Sequence, residues 1–159
     1  MDRALSFEDF YRTHRDDVLR ALSFTLHDRE LALEVTDEAF ARAVERWSEV
    51  GAGSNPAGWV YRVALNLAHN RRRRLSLERR RPVPTHVRDA WTDDACADPA
   101  IARALAALPV DQRAVVVLRY HLDWSVEAVA SALDIPSGTV KSRLHRALGQ
   151  LATMLEANP

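Results

Sequence analysis

Cysteine occurs once in the 159 residues, at Cys96, so no intrachain disulfide can form and a cysteine zinc cluster is excluded. Lysine also occurs once, at Lys141, which leaves arginine as nearly the only cation. Net charge is missing as well: 22 Lys and Arg offset 22 Asp and Glu, so no partner follows from a whole-chain excess of one sign. Any anion-binding surface has to come from local segregation of charge. No apolar run approaches the roughly 20 residues that cross a bilayer, and the N-terminus has no apolar signal core. The expectation is a cytoplasmic protein with no direct membrane insertion. Strand-like alternation and internal repeats are absent too, which points to an all-α fold. Nothing resembling a nucleophile, a ligand cluster or a catalytic carboxylate pair stands out. The chain is therefore not expected to be an enzyme or to hold a metal or cofactor.

What the chain does contain is helical periodicity in two blocks separated by a break. Ser6 can cap a helix that carries Phe7, Phe10, Tyr11, His14, Val18 and Leu22 at helical spacing. A second helix is expected over residues 28–47, and a third over 56–74 with Pro56 at its start. From about residue 75 to 98 the pattern dissolves into arginines, two prolines and an acidic patch, which reads as a flexible linker. Helices follow at about 99–108 and 111–120. The expected organisation is two small helical domains, residues 1–75 and 99–159, joined by a linker at 76–98.

The last block is the most specific. Ser125 can cap a short helix with Glu127 in its first turn, while Val126, Val129, Ala130 and Leu133 line one face. Asp134-Ile135-Pro136 breaks it, since Asp tolerates a left-handed corner and a helix rarely runs into proline. Ser137 is expected to cap the next helix. At about 100° per residue, Leu144, Ala147, Leu148 and Leu151 form its core stripe, and Lys141, Ser142, His145 and Arg146 lie opposite, with Arg143 on a flank. This is a helix-turn-helix whose second helix presents the donors that reading a major groove needs.

Charge segregates in two further places. On the helix over 28–47, Glu30, Glu34, Asp37, Glu38 and Glu45 gather on one side with no interleaved lysine, a self-repelling stripe that suggests a basic partner. Arg71 to Arg74 and Arg79 to Arg81 form a basic run suited to phosphate. Trp47, Trp59 and Tyr61 are candidates for stacking on unpaired bases, with Trp59 expected to be mainly structural.

Taken together, these segments resemble an extracytoplasmic-function sigma factor of bacterial RNA polymerase. Phe7-Glu8-Asp9-Phe10-Tyr11 with His14, Asp37-Glu38-Ala39-Phe40 with Arg42 and Trp47, and Trp59-Val60-Tyr61-Arg62-Val63-Ala64 with Asn66 resemble that family's region two. Leu108-Pro109, Gln112-Arg113 and Gly138-Thr139-Val140-Lys141-Ser142-Arg143-Leu144 with Arg146-Ala147 resemble region four, the more specific match. The resemblance implies that Glu34, Asp37 and Glu38 dock on core RNA polymerase at its clamp helices, with the flap as a second contact. It implies that the loop at 48–55, with Trp47, Asn55, Arg62, Asn66 and Asn70, opens the minus-10 element and captures a flipped base. Ser137, Thr139, Lys141, Ser142, Arg143, His145 and Arg146 would face the minus-35 duplex of promoter DNA. The linker would thread toward the polymerase cleft, and an anti-sigma factor is a further partner the resemblance implies. Asp37, Val44, His145 and Asp134 depart from the family's usual residues. A stand-alone helix-turn-helix regulator is the alternative, and it would need no acidic stripe.

Overall fold

The computed structural model describes residues 4–79 and 98–157, and among them helices are the only regular structure. Most of the expected linker, including Arg80, Arg81 and Cys96, lies outside the described residues.

The first unit has four helices. Helix α1, Phe7–Leu26, starts where Ser6 Oγ accepts the Asp9 amide at 3.2 Å, and ends at His27 in the left-handed region (φ 51°). Helix α2, Arg29–Glu45, is capped by Asp28, which accepts the Leu31 amide at 3.0 Å. It does not run on to Trp47 as expected. The backbone breaks at Arg46 (φ −115°), and Trp47–Val50 form a separate short helix, α3. Helix α4, Pro56–Arg79, begins on an Asn-Pro pair: Asn55 Oδ1 accepts the Gly58 amide at 2.9 Å, and proline occupies a first-turn position whose missing N–H costs nothing. It runs past the expected end near Arg74. Residues 75–79 contain neither Gly nor Pro, and the first breaker is Pro82.

These helices bury one face each. Phe10, Val18 and Leu22 of α1 meet Val35 and Phe40 of α2 and Val60 and Ala64 of α4. Ala32, Ala39 and Ala43 keep α2 thin enough for α1 and α4 to pack closely on it. Tyr61 is fully buried, and its hydroxyl shares a 2.7 Å hydrogen bond with Thr25 Oγ1, so neither hydroxyl is left unsatisfied.

The second unit comprises α5 (Pro99–Ala107, capped by Asp98), α6 (Val110–Val116), α7 (Val126–Leu133) and α8 (Ser137–Ala157). Helix α6 continues as a π-helical turn, Val117–His121, in which the Leu122 amide reaches the Val117 carbonyl at 3.2 Å. Ser125 caps α7 through the Ala128 amide at 3.1 Å, and Asp134 closes it in the left-handed region (φ 55°). Ser137 does not act as the expected cap. It is the first residue of α8, and the Pro136 carbonyl accepts the Thr139 and Val140 amides instead. Val140, Leu144 and Ala147 are buried against Val115, Leu118 and Val129, while Leu148, expected in the same stripe, is 41% exposed.

The two units share one continuous core. Arg113 of α6 is only 7% exposed and donates through Nη1 to the Thr25 carbonyl of α1 at 2.7 Å. Its Nε donates to Leu105 O at 2.8 Å, and Nη2 to Ala106 O at 2.9 Å and Leu108 O at 2.8 Å. Nearby, Arg72 Nη2 donates to the Leu26 carbonyl at 2.5 Å, so the carbonyls ending α1 are capped by one arginine from each unit. Phe24 meets the His121 ring edge-on at 5.0 Å.

This seam carries a pH dependence. Burial, then the Arg113 and Arg72 guanidiniums, hold the His27 pKa below the usual histidine value against the pull of Asp28. His121 is lowered by burial as well, with Asp17 opposing and Arg20 assisting. Both rings are therefore favoured neutral in the folded chain, and the unfolded chain binds more protons in acid. Their contribution is full above the unfolded value of about 6.5 and is lost as pH falls below it through the lowered folded values. The thermal midpoint is expected to drop as pH falls below about 6.5, and His27→Asn, which keeps a residue tolerant of the left-handed backbone, should flatten that drop. An unchanged slope in the variant would show that His27 does not couple to folding.

Candidate nucleic-acid interface

Helix α8 separates its faces cleanly. Beneath lie Val140, Leu144 and Ala147; outward lie Ser137, Lys141, Ser142, His145 and Arg146, all exposed, with Thr139 and Arg143 half-buried at the flanks. All seven residues assigned from the sequence to duplex contact therefore sit on the first two and a half turns of one helix. Gly138 has nothing within 4 Å of a built Cβ, so the first turn is open to close approach by a phosphate. Ser142 Oγ donates to Thr139 O at 3.0 Å, which leaves its lone pairs outward.

A second polar face lies on α4. Trp59, Arg62, Asn66, Asn70 and Arg73 recur every three or four residues and so share one side. Asn66, Asn70 and Arg73 are exposed; Trp59 and Arg62 are half-buried. At the N-terminal end of this stripe, the loop after α3 borders an open cavity of about 230 Å³ lined in part by Glu49, Asn55, Trp59 and Arg62. Of the residues assigned to strand contact, Asn55 and Arg62 meet at this cavity, and Asn66 and Asn70 extend from it. Trp47 is held elsewhere. Its ring packs on Phe10 at 4.9 Å and on Phe7 at 5.4 Å, and its indole N–H donates to Leu5 O at 3.0 Å. It is half-buried there, at the edge of the core. Asn55 doubles as the cap of α4, a signal present in the sequence as Asn-Pro.

The acidic face of α2 differs from its expected state. Its countercharge is supplied within the chain: Arg71 of α4 reaches Glu34 at 2.8 Å and Glu38 at 2.5 Å, Arg42 reaches Glu38 at 2.9 Å, and Arg15 of α1 reaches Asp37 at 3.4 Å. The stripe is not unbalanced, so self-repulsion is no argument for a basic partner. Arg42 sat within the same helix, and the other two come from neighbours that no single-helix pattern contains. The basic run is likewise partly occupied. Arg71 and Arg72 make internal bonds, while Arg73 and Arg74 point to solvent.

Two family models match the chain, Sigma-70 region 2 over residues 10–78 and Sigma-70 region 4 over residues 99–151. The RNA polymerase sigma-E factor of Streptomyces avermitilis is 36% identical, across 96% of this chain and 87% of the relative. The chain belongs to the extracytoplasmic-function sigma factors. It is an alternative sigma factor, which confers promoter-specific initiation on RNA polymerase. The ECF RNA polymerase sigma factor SigM of Mycobacterium tuberculosis is 30% identical across 94% of this sigma factor and 77% of its own length. Among solved structures, the sigma factor RpoE in complex with the anti-sigma factor NepR from Bartonella quintana aligns with a TM-score of 0.71 at 22% identity, covering 96% of this chain and 99% of that one. CnrH in complex with the cytosolic domain of CnrY aligns at 0.65 and 20% identity, covering 96% and 89%. At those identities the likeness is one of fold. None of the described helices is long and apolar enough to cross a membrane.

Proposed function

We propose that residues 1–75 form the unit that binds core polymerase and reads the minus-10 element, that residues 99–159 form the unit that reads the minus-35 duplex, and that residues 76–98 connect them. The observation that carries this division is the exposed donor set on α8 above a buried apolar stripe. Ser137, Thr139, Lys141, Ser142, Arg143, His145 and Arg146 contact the minus-35 duplex. Asn55, Arg62, Asn66 and Asn70 line the path of the opened minus-10 strand, on the face that begins at the cavity. Trp47, half-buried at the edge of that unit's core, contacts the same element with its exposed part. Glu34, Asp37 and Glu38 meet the polymerase clamp helices by exchanging their internal arginines for the partner's, and the second unit meets the flap. The chain performs no catalysis of its own, acts in the cytoplasm where polymerase and promoter are, and is a target for an anti-sigma factor, as RpoE is for NepR.

Gel filtration with core polymerase tests this reading against a stand-alone regulator. Co-elution of a monomeric chain with core enzyme is expected, whereas a DNA-binding dimer that ignores core enzyme would overturn it. Within the second unit, Arg146→Ala is expected to weaken binding to a cognate minus-35 duplex by about 1–3 kcal/mol if it reads a base edge. A mobility-shift titration at fixed salt reads the loss, and an unchanged affinity removes Arg146 from the interface.

A further inference from the structure

The loop that borders the cavity leaves α3 without a free turn. The Gly51 amide donates to the Trp47 carbonyl at 2.8 Å and the Gly53 amide to the Val50 carbonyl at 3.1 Å, so the chain keeps winding as it leaves the helix. Gly51 does not stand there for backbone freedom, because its φ of −67° and ψ of −24° are open to any residue. It stands there for space. A Cβ built on Gly51 would lie 2.7 Å from Cε2 and 2.9 Å from Cζ2 of the Trp47 indole. Carbon atoms settle at about 3.5–4.0 Å, so a methyl at residue 51 has to lift the loop by about 1 Å or push the ring aside.

The ring does not yield cheaply. Cε2 is bonded to Nε1, and Nε1 donates to the Leu5 carbonyl at 3.0 Å, so the edge on which Gly51 rests is the edge pinned by the segment before α1. Phe10 at 4.9 Å and Phe7 at 5.4 Å hold the indole from α1. The loop is thus tied at both ends, by Gly51 to a fixed ring and by Asn55 to the first turn of α4 through the Gly58 amide at 2.9 Å. Between the two ties it carries Ser54 to the cavity, where Trp59 and Arg62 also line the wall.

We propose, resting on the minus-10 assignment above, that Trp47 and Gly51 are a positioning pair for strand capture: the indole, pinned by the Leu5 carbonyl, sets the height at which the loop meets the opened strand. Trp47 does this through Gly51, whatever its exposed part touches. The segment before α1 thereby bears on promoter opening from the far side of the ring.

Gly51→Ala tests the pair. Core polymerase carrying each chain is offered a promoter fragment mapped by run-off transcription, once fully paired and once mismatched from minus-10 to the start site. Gly51→Ala should initiate about tenfold less than wild type on the paired fragment, because a shift of about 1 Å is enough to spoil such a contact. On the mismatched fragment the strands are already apart, and it should come within about twofold of wild type. A variant that is merely misfolded would lose both. Trp47→Phe has no N–H for Leu5 and a shorter ring free to yield, so adding Gly51→Ala to it should cost less than about twofold further on the paired fragment. Wild-type opening by Gly51→Ala, an equal loss on both fragments, or the same tenfold loss in the Trp47→Phe background would overturn the pair. Arg62→Ala combined with Asn66→Ala separates this from the assignment beneath it. If that double variant opens the paired fragment as wild type does, the minus-10 assignment fails; if it cannot open it while Gly51→Ala can, only the positioning pair fails.

Discussion

Arg113→Ala is expected to cost at least about 3 kcal/mol of folding stability, among the largest losses available to a single substitution in this chain. The guanidinium is buried with no carboxylate opposite it among the described residues. Four backbone carbonyls, of Leu105, Ala106, Leu108 and Thr25, receive its donors instead. Removing it leaves those acceptors without partners, at about 1–3 kcal/mol for each that stays buried. Desolvation, followed by the neighbouring Arg72, pushes its pKa down to about 10, with Tyr61 acting in the opposite sense, so it remains charged at neutral pH. Arg113→Lys should recover little, because a tetrahedral ammonium cannot span a fork of four carbonyls. Urea denaturation of the three proteins measures this; a lysine variant within about 0.5 kcal/mol of wild type would show that only charge matters there.

Reversing Glu34 and Glu38 together to lysine should reduce association with core polymerase at least tenfold, or about 1.4 kcal/mol, and leave the fold in place. Glu34 is exposed and Glu38 half-buried, and ion pairs open to solvent contribute about 0–1 kcal/mol each, so losing the Arg71 and Arg42 pairs is tolerable. Two new cations beside Arg71 and Arg42 would invert the face presented to the partner. Arg71→Ala is the informative companion. It frees Glu34 and leaves Glu38 only its pair with Arg42, and core association should then hold or tighten. Surface-immobilised core enzyme reads both effects, and wild-type binding by the reversal variant would remove this face from the interface.

The elements were legible where the signal is local. Ser6, Asp28 and Ser125 announce helix starts, the left-handed corner at Asp134 follows from its place before Ile135-Pro136, and the donor face of α8 follows from its angular spacing. What escaped was non-local. The arginines that neutralise Glu34 and Asp37 arrive from α4 and α1, far away in sequence. The fork of Arg113 closes on α1, and Ala132 of α7 sits against Gly58 of α4, contacts that no single-helix pattern contains. Periodicity says which face is covered, not by what. Boundaries failed for a related reason: with no glycine or proline before Pro82, nothing marks where α4 stops, and the break at Arg46 has no turn residue to betray it.

Run-off transcription with purified core polymerase, free of any other sigma factor, on a library of genomic fragments is the most direct measurement. Discrete transcripts that depend on the added chain, with start sites sharing two upstream motifs, are predicted. Core polymerase that yields no more specific transcript with the chain than without it, on every template, would contradict the account.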